Sequence, residues 1–411
     1  MQHRIDGERL WARLLAMAQI GPIPGDGSCR LTLSDEDEAG RALLVSWCAA
    51  RGFALRRDAI GNLFFRRQGR DADASPVLVG SHLDTQPTGG RFDGVLGVLA
   101  GLEVLETLAD LGLETERSVD LCVWTNEEGS RFQPAMMGSG VACGILPLEQ
   151  VLAASDADGV RVADELVRHG YDREPAPDVG LADCYLELHI EQGPILENTG
   201  KTIGVVTGGQ GIRWYEIALH GEETHAGPVP MALRKDPVPL LARMIDLVHA
   251  IGGRDPQARC TIGQVRTHPG SINVVPGRIE MTVDLRHPDE AELDAMHDAL
   301  MRGCRDLASS HPSIGLDVQL RWHSPVVRFD PSLAKLVRQS AERMGIAAHD
   351  MVSGAGHDAF HLARRVPTVM IFVPCRDGVS HNPREYASPE HVAAGANVLL
   401  SVVLERAMSR G

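Results

Sequence analysis

The order of strand-like and helix-like runs changes near residue 209, and that change constrains the fold more than any single motif. Upstream, VLVGSH (77–82) has the continuous apolar character of a short buried strand. DGVLGVLAGLEVLETLADLG (93–112) reads as an apolar helix closed by a glycine. SVDLCVWTNEE supplies the next strand and runs into paired acids, CYLELHIEQG (184–193) alternates, and KTIGVVTGG follows as another strand. Strands interleaved with helices predict an α/β domain with a mostly parallel sheet flanked by helices, where functional residues gather at the carboxyl ends of strands. His82, Glu127, Glu128 and His189 each fall at or near such an end.

From about residue 209 the runs follow a different order. IRWYEIALHG is a strand, DPVPLLARMIDLVHAIGG a helix, ARCTIGQVRT and GRIEMTVDLRH two strands, 289–309 a long helix and IGLDVQLRWH a last strand. This β-α-β-β-α-β order is the ferredoxin-like unit. A helix over 331–344, a strand TVMIFVP (368–374) and a helix from 388 then resume the earlier pattern. The expectation is therefore a discontinuous domain, 1–208 and 328–411, holding an inserted α+β domain, 209–327. A length of 411 residues agrees, since one hydrophobic core rarely grows beyond about 250–300 residues.

Charge narrows the partners. A net charge of -15, with 55 acidic against 40 basic residues and no long Lys/Arg run, argues against nucleic acid and anionic membranes. The N-terminal segment spaces Leu10, Leu14 and Met17 as a helix does, with charges between them, rather than as a continuous apolar signal core. No segment reaches 18 uninterrupted apolar residues. Eight scattered cysteines without a CxxC pair are expected to be reduced thiols in a cytoplasm.

The polar residues of GSHLDTQPTGGRFDG carry the chemistry. In a continuing strand His82 and Asp84 would point to the same side. Asp93 precedes a helix, Glu127 and Glu128 end a strand, and His189 and His381 stand in polar surroundings. Histidines and carboxylates in such company suit transition-metal ions, imidazole favouring zinc, manganese, cobalt or nickel and a carboxylate being able to bridge two ions. So many acids together would otherwise repel or protonate.

The chain resembles the hydantoinase/carbamoylase metallo-amidases, relatives of the M20 metallopeptidases that include N-carbamoyl-L-amino acid hydrolases, β-ureidopropionases and allantoate amidohydrolases. The resemblance covers nearly the whole chain and rests on GSHLDTQPTGGRFDG, TNEEGSRF, ELHIEQGPILE, THAGPVPMALRKD, NVVPG with DLRHP, SGAGHDAF and SHNPREY. It implies a zinc-peptidase-like catalytic domain with an inserted lid and dimerisation domain, hence a homodimer. It also implies two divalent metal ions (Zn, Mn, Co or Ni), with His82, Asp93 and His189 on one, and Asp93 bridging to a second completed by Glu128 and His381.

Further roles follow from the same resemblance. Asp84 is expected to orient His82, and Glu127 to be the general base. His225, in the HAG motif, is expected to stabilise the carbonyl oxygen, on its own or across the dimer. Arg286 is expected to bind the substrate carboxylate, with Gln192, Asn273, Gly356 and His357 as further substrate contacts. The implied reaction is hydrolysis of the ureido C–N bond of an N-carbamoyl-L-amino acid or N-carbamoyl-β-amino acid to amino acid, carbon dioxide and ammonia. Allantoate hydrolysis, peptide or acyl-amino-acid hydrolysis, and a non-catalytic binder of small carboxylates are the alternatives. Glu127 counts against the binder, which would need no base. No motif specifies a pocket for the amino-acid side chain.

Overall fold

The computed structural model describes residues 3–171 and 177–409, and the chain divides into two compact units. The larger comprises the chain up to Thr207 and from Arg328 onward; the smaller is Gly208–Val327.

In the larger unit four parallel strands form the middle of a sheet, in the spatial order Thr368–Val373, Cys184–Ile190, Val77–His82, Val119–Trp124. Antiparallel strands flank them: Ile203–Gly209 beside Thr368–Val373, and Leu63–Arg67 followed by Ala54–Arg57 beside Val119–Trp124. The sheet is thus parallel at its centre and mixed towards its edges. The two strands Ala54–Arg57 and Leu63–Arg67 lack an alternating or continuous apolar pattern, and arginines at the rim suit an edge.

All seven residues of Cys184–Ile190 are buried, although alternation anticipates one wet face. A central parallel strand is covered on both sides, so its polar residues Glu187 and His189 are buried too. The helix Val95–Asp110 packs on three of the parallel strands and buries nearly its whole circumference, as its unbroken apolar run requires. Truncating one of its fully buried leucines, such as Leu99, to alanine should cost about 2–5 kcal/mol. After Val119–Trp124 the chain returns to the far side of Val77–His82 to add Cys184–Ile190. This topological switch leaves a crevice at the strands' carboxyl ends, flanked by His82 and His189.

The smaller unit is an antiparallel sheet in the order Arg259–Thr261, Arg278–His287, Gly211–His220, Gly315–Ser324. Helices Val238–Gly252 and Glu290–Ser310 supply the apolar partners for its inner face. Numbering the four strands along the chain gives 2-3-1-4, the ferredoxin-like arrangement. Alternation is clean here: Tyr215, Ile217, Leu219, Ile279, Met281, Val283 and Leu285 face the helices. The single strand anticipated over ARCTIGQVRT is broken into Arg259–Thr261 and Val265–His268, because Gln264 exchanges hydrogen bonds with Thr282 across an irregular step. Among the described residues no helix is long and apolar enough to cross a membrane.

Candidate metal centre

His82 is the last residue of its strand, so strand alternation stops before Asp84. The ring's Nδ1–H donates to the Asp84 backbone carbonyl at 2.9 Å, while the Asp84 carboxylate stays 3.7 Å from that nitrogen. The carboxylate instead accepts the Glu127 and Glu128 backbone N–H groups at 3.3 and 3.2 Å and the Thr32 hydroxyl at 2.9 Å. Asp84 therefore orients His82 through its main chain and shapes the Glu127–Glu128 turn through its side chain. The resemblance implies an Asp84 carboxylate that orients His82; in this structure the carbonyl of Asp84, rather than its carboxylate, bonds the ring.

His189 makes the same type of bond, Nδ1–H to the carbonyl of Ile190 at 2.9 Å. In both rings a carbonyl takes the Nδ1 proton, so Nε2 is the nitrogen turned to the crevice, as for a metal-ligating imidazole. There they meet Asp93, whose Oδ1 lies 3.1 Å from His189 Nε2 and 3.7 Å from His82 Nε2. Its Oδ2 faces the other way, 3.3 Å from His381 Nε2, and His381 is also 3.3 Å from Glu128 Oε2. Each oxygen of one aspartate thus faces a different cluster. His82, Asp93 and His189 form one group and Asp93, Glu128 and His381 another, each with ligand atoms within 4.8 Å of one another; behind the first, Glu187, His189 and His357 meet the same limit.

Asp93 is brought this close because Gly94, at φ 68°, begins the helix against the His82 ring. A Cβ there would sit 2.3 Å from a ring carbon. Asn126, Met136, Gln192 and His381 also hold left-handed backbone around the crevice, a conformation that non-glycine residues sustain only when their surroundings enforce it. A cleft of about 190 Å³ opens on the cluster, lined among others by Asp93, Glu127, Glu128, Gln192, Gly356 and His357.

The electrostatics explain what the cluster needs. Burial pushes the Glu127 carboxyl well above the usual carboxylate range, and the charges of Asp358, Glu128, Asp84 and Asp93 add to it. Burial and Asp93 push Glu128 up to about 8. Burial opposes charge on His189, but its bond to Asp93 prevails and raises it to about 9; the bond to Asp93 raises His381 to about 9 as well. Asp93 is held well below its ordinary range because bonds from His189 and His381 outweigh its burial. Two imidazoles with a carboxylate, and one imidazole with two carboxylates, are donor sets that fit divalent metal ions, so the residues present fit the metal centre.

Other anticipated residues are placed as follows. Gln192 donates its amide to Asp93 Oδ2 at 2.8 Å. His357 is buried with its ring centroid 4.6 Å from that of His189, bonds Ser353, and is held well below the ordinary histidine range by burial and by His189. His225, Asn273 and Arg286 belong to the smaller unit. The first two are neighbours there, since His225 pairs with Val274 and the next residue, Ala226, bonds the Asn273 carbonyl. Gly227 donates its N–H to His225 Nδ1 at 3.0 Å, which leaves the ring proton on Nε2. Arg286 lies on the outer sheet face and pairs with Asp284 at 2.8 Å.

Sequence reasoning missed four contributors. Gln86 donates to Glu128 Oε2 at 2.7 Å, Ser380 Oγ lies 2.6 Å from Asp93 Oδ2, and Glu385 accepts the Asp93 backbone N–H at 3.1 Å. Glu187, beneath His189, accepts from Ser81 at 2.8 Å and Tyr185 at 3.0 Å. Strand period places Glu187 on the same side as His189 and could have found it; the other three carry no local pattern.

A parallel sheet presenting histidine and carboxylate clusters at its carboxyl edge, with a further carboxylate alongside, is the layout of a metal-dependent hydrolase. The chain belongs to peptidase family M20/M25/M40, which it matches over residues 78–405. It is 45% identical over 405 residues to an N-carbamoyl-L-amino-acid amidohydrolase of Rhizobium meliloti, covering 98% of this chain and 97% of that protein. To the allantoate amidohydrolase of Escherichia coli (strain K12) it is 34% identical, over 96% of each chain. The crystal structure of a hydantoinase/carbamoylase family amidase from Burkholderia multivorans matches it with a TM-score of 0.94 at 50% identity, over all of both chains.

Proposed function

We propose that this protein hydrolyses the ureido C–N bond of N-carbamoyl-L-amino acids, giving the free amino acid, carbon dioxide and ammonia, and that two divalent cations serve the reaction. The observation that carries the reading is Asp93, with one oxygen towards His82 and His189 and the other towards His381, beside a Glu127 that belongs to neither cluster. A relative matched over 98% of this chain and 97% of its own, 45% identical and bearing that activity in its name, supports the choice of substrate.

In this reading His82, Asp93 and His189 would hold one cation, and Asp93, Glu128 and His381 the other. When bound, such ions polarise a carbonyl and bring the pKa of a water towards about 7. Glu127 is the general base: it takes a proton from the attacking water and returns one to the leaving nitrogen, with a carbamate as the transient product. Asp84 holds the turn that aims Glu127. His225, whose Nε2 keeps its proton, donates to the carbonyl oxygen as charge develops there. Arg286 takes the substrate carboxylate in a bidentate pair, and Gln192, Asn273, Gly356 and His357 engage its remaining polar groups. The same reading has the protein as a cytoplasmic homodimer; eight unbridged thiols support a reducing compartment, and light scattering tests the dimer.

The test is ammonia release from N-carbamoyl-L-methionine and allantoate, and free amino acid release from a dipeptide panel, with Mn²⁺ or Co²⁺ present. Turnover of the carbamoyl amino acid is expected. A preference for allantoate or dipeptides would reassign the substrate, and no turnover of any of them would make the protein a binder.

A further inference from the structure

The loops carrying Asp93 and His381 are almost three hundred residues apart in the chain, yet one buried carboxylate touches both. Glu385, 1% exposed, accepts the backbone N–H groups of Phe92 and Asp93 on Oε1 at 2.8 and 3.1 Å. Its Oε2 lies 2.9 Å from Ser380 Oγ, and that same hydroxyl is 2.6 Å from Asp93 Oδ2, the oxygen that faces His381. The Glu385 N–H in turn bonds the Asn382 carbonyl, closing the turn that bears His381. Gly90 walls the slot, for a Cβ on that residue would fall 2.1 Å from Glu385 Cδ.

We propose that Glu385 and Ser380 are positioning residues that clamp Asp93 against His381, fixing which oxygen of the shared aspartate faces which cation. This rests on the di-cation reading above. Three bonds from one side chain and its serine constrain both the backbone and the carboxylate plane of Asp93. Without them Asp93 Oδ2 keeps its bond from Gln192 but loses the hydroxyl that fixes the plane. An isolated negative charge is not what the clamp requires. A glutamine at 385 keeps Oε1 as acceptor for both backbone N–H groups and offers its own N–H to Ser380 Oγ, whose proton then serves Asp93.

The experiment titrates chelator-treated, full-length protein with Mn²⁺ and reads free Mn²⁺ by electron paramagnetic resonance, with near-ultraviolet circular dichroism as the check on folding. The wild type is expected to bind two ions. Glu385→Ala and Ser380→Ala are expected to weaken Mn²⁺ binding about 10- to 100-fold, the range for partners that orient metal ligands. Glu385→Gln is expected to stay within about 3-fold of the wild type, a rescue that follows the preserved bonds. If Glu385→Ala does not fold, Ser380→Ala and Glu385→Gln decide. Two Mn²⁺ bound at wild-type affinity by Ser380→Ala, or a loss in Glu385→Gln as deep as in the alanine variants, would overturn the clamp alone. A wild type that binds no Mn²⁺ would overturn the di-cation reading instead.

Discussion

Replacing Glu127 by glutamine separates the proposed base from the proposed ligands. The substitution keeps the shape of the side chain, removes its negative charge and removes its ability to accept a proton. Glu127 Oε2 lies 3.6 Å from His82 Nε2, but the residue is in neither donor cluster, so the variant should still bind two divalent ions with affinities within a few-fold of the wild type. Positioned acid–base catalysis is worth roughly 10²–10⁴ in rate. At about 1.4 kcal/mol per decade that is about 3–5 kcal/mol of barrier, and it should fall on kcat with KM little changed. The crowding of Glu127 by Asp358, Glu128, Asp84 and Asp93 adds a second readout. Chelator-treated Glu127→Gln should melt no lower than the wild type at neutral pH, because the amide relieves a buried carboxyl that resists ionisation. Steady-state ammonia release, Mn²⁺ stoichiometry and a thermal melt suffice. A kcat within about 3-fold of the wild type would remove Glu127 as the base, and loss of bound ions would make it a ligand instead.

Two further outcomes are expected. In chelator-treated protein, Glu128, His189 and His381 all hold protons more tightly folded than unfolded, at about 8, 9 and 9 against ordinary values of 4.5, 6.5 and 6.5, and Glu127 shifts the same way. Their stabilisation is present on the acid side and lost as pH rises through these values, so Tm should fall between about pH 6 and pH 9; saturating Mn²⁺ should flatten that slope, and a chelated Tm that climbs over the same range would contradict the assignment. Arg286→Ala should lower kcat/KM for carboxylate-bearing substrates about 10- to 100-fold, the worth of a charge-assisted pair, while sparing an N-carbamoyl amine that lacks the carboxylate; equal effects on both would release Arg286 from that role.

Which parts of the centre can be read from the chain, and which cannot, follows from how each residue reaches its place. His82, Glu127, Glu128 and His189 are legible because strands interleaved with helices make a parallel sheet, and a parallel sheet collects polar residues at its carboxyl ends. The inserted unit is legible because its antiparallel strands keep one wet face and so preserve their alternation. Period fails where a strand stops. Nothing in SHLD marks His82 as the final strand residue, yet that ending decides whether Asp84 meets the imidazole with its carboxylate or its carbonyl. It fails again where loops close on each other: Ser380 and Glu385 meet Asp93 across 287 and 292 residues, and in sequence they are a serine and a glutamate in a polar turn. His82 and His189 are therefore placed by the repeating geometry of the backbone, whereas Asp93, His381 and the groups that touch them are placed by closure of irregular loops. Left-handed backbone at Asn126, Gln192 and His381 supports this division, because such conformations persist only where surrounding contacts enforce them. Substitutions among the groups that hold the ligands should accordingly loosen the grip on cations before they disturb the fold.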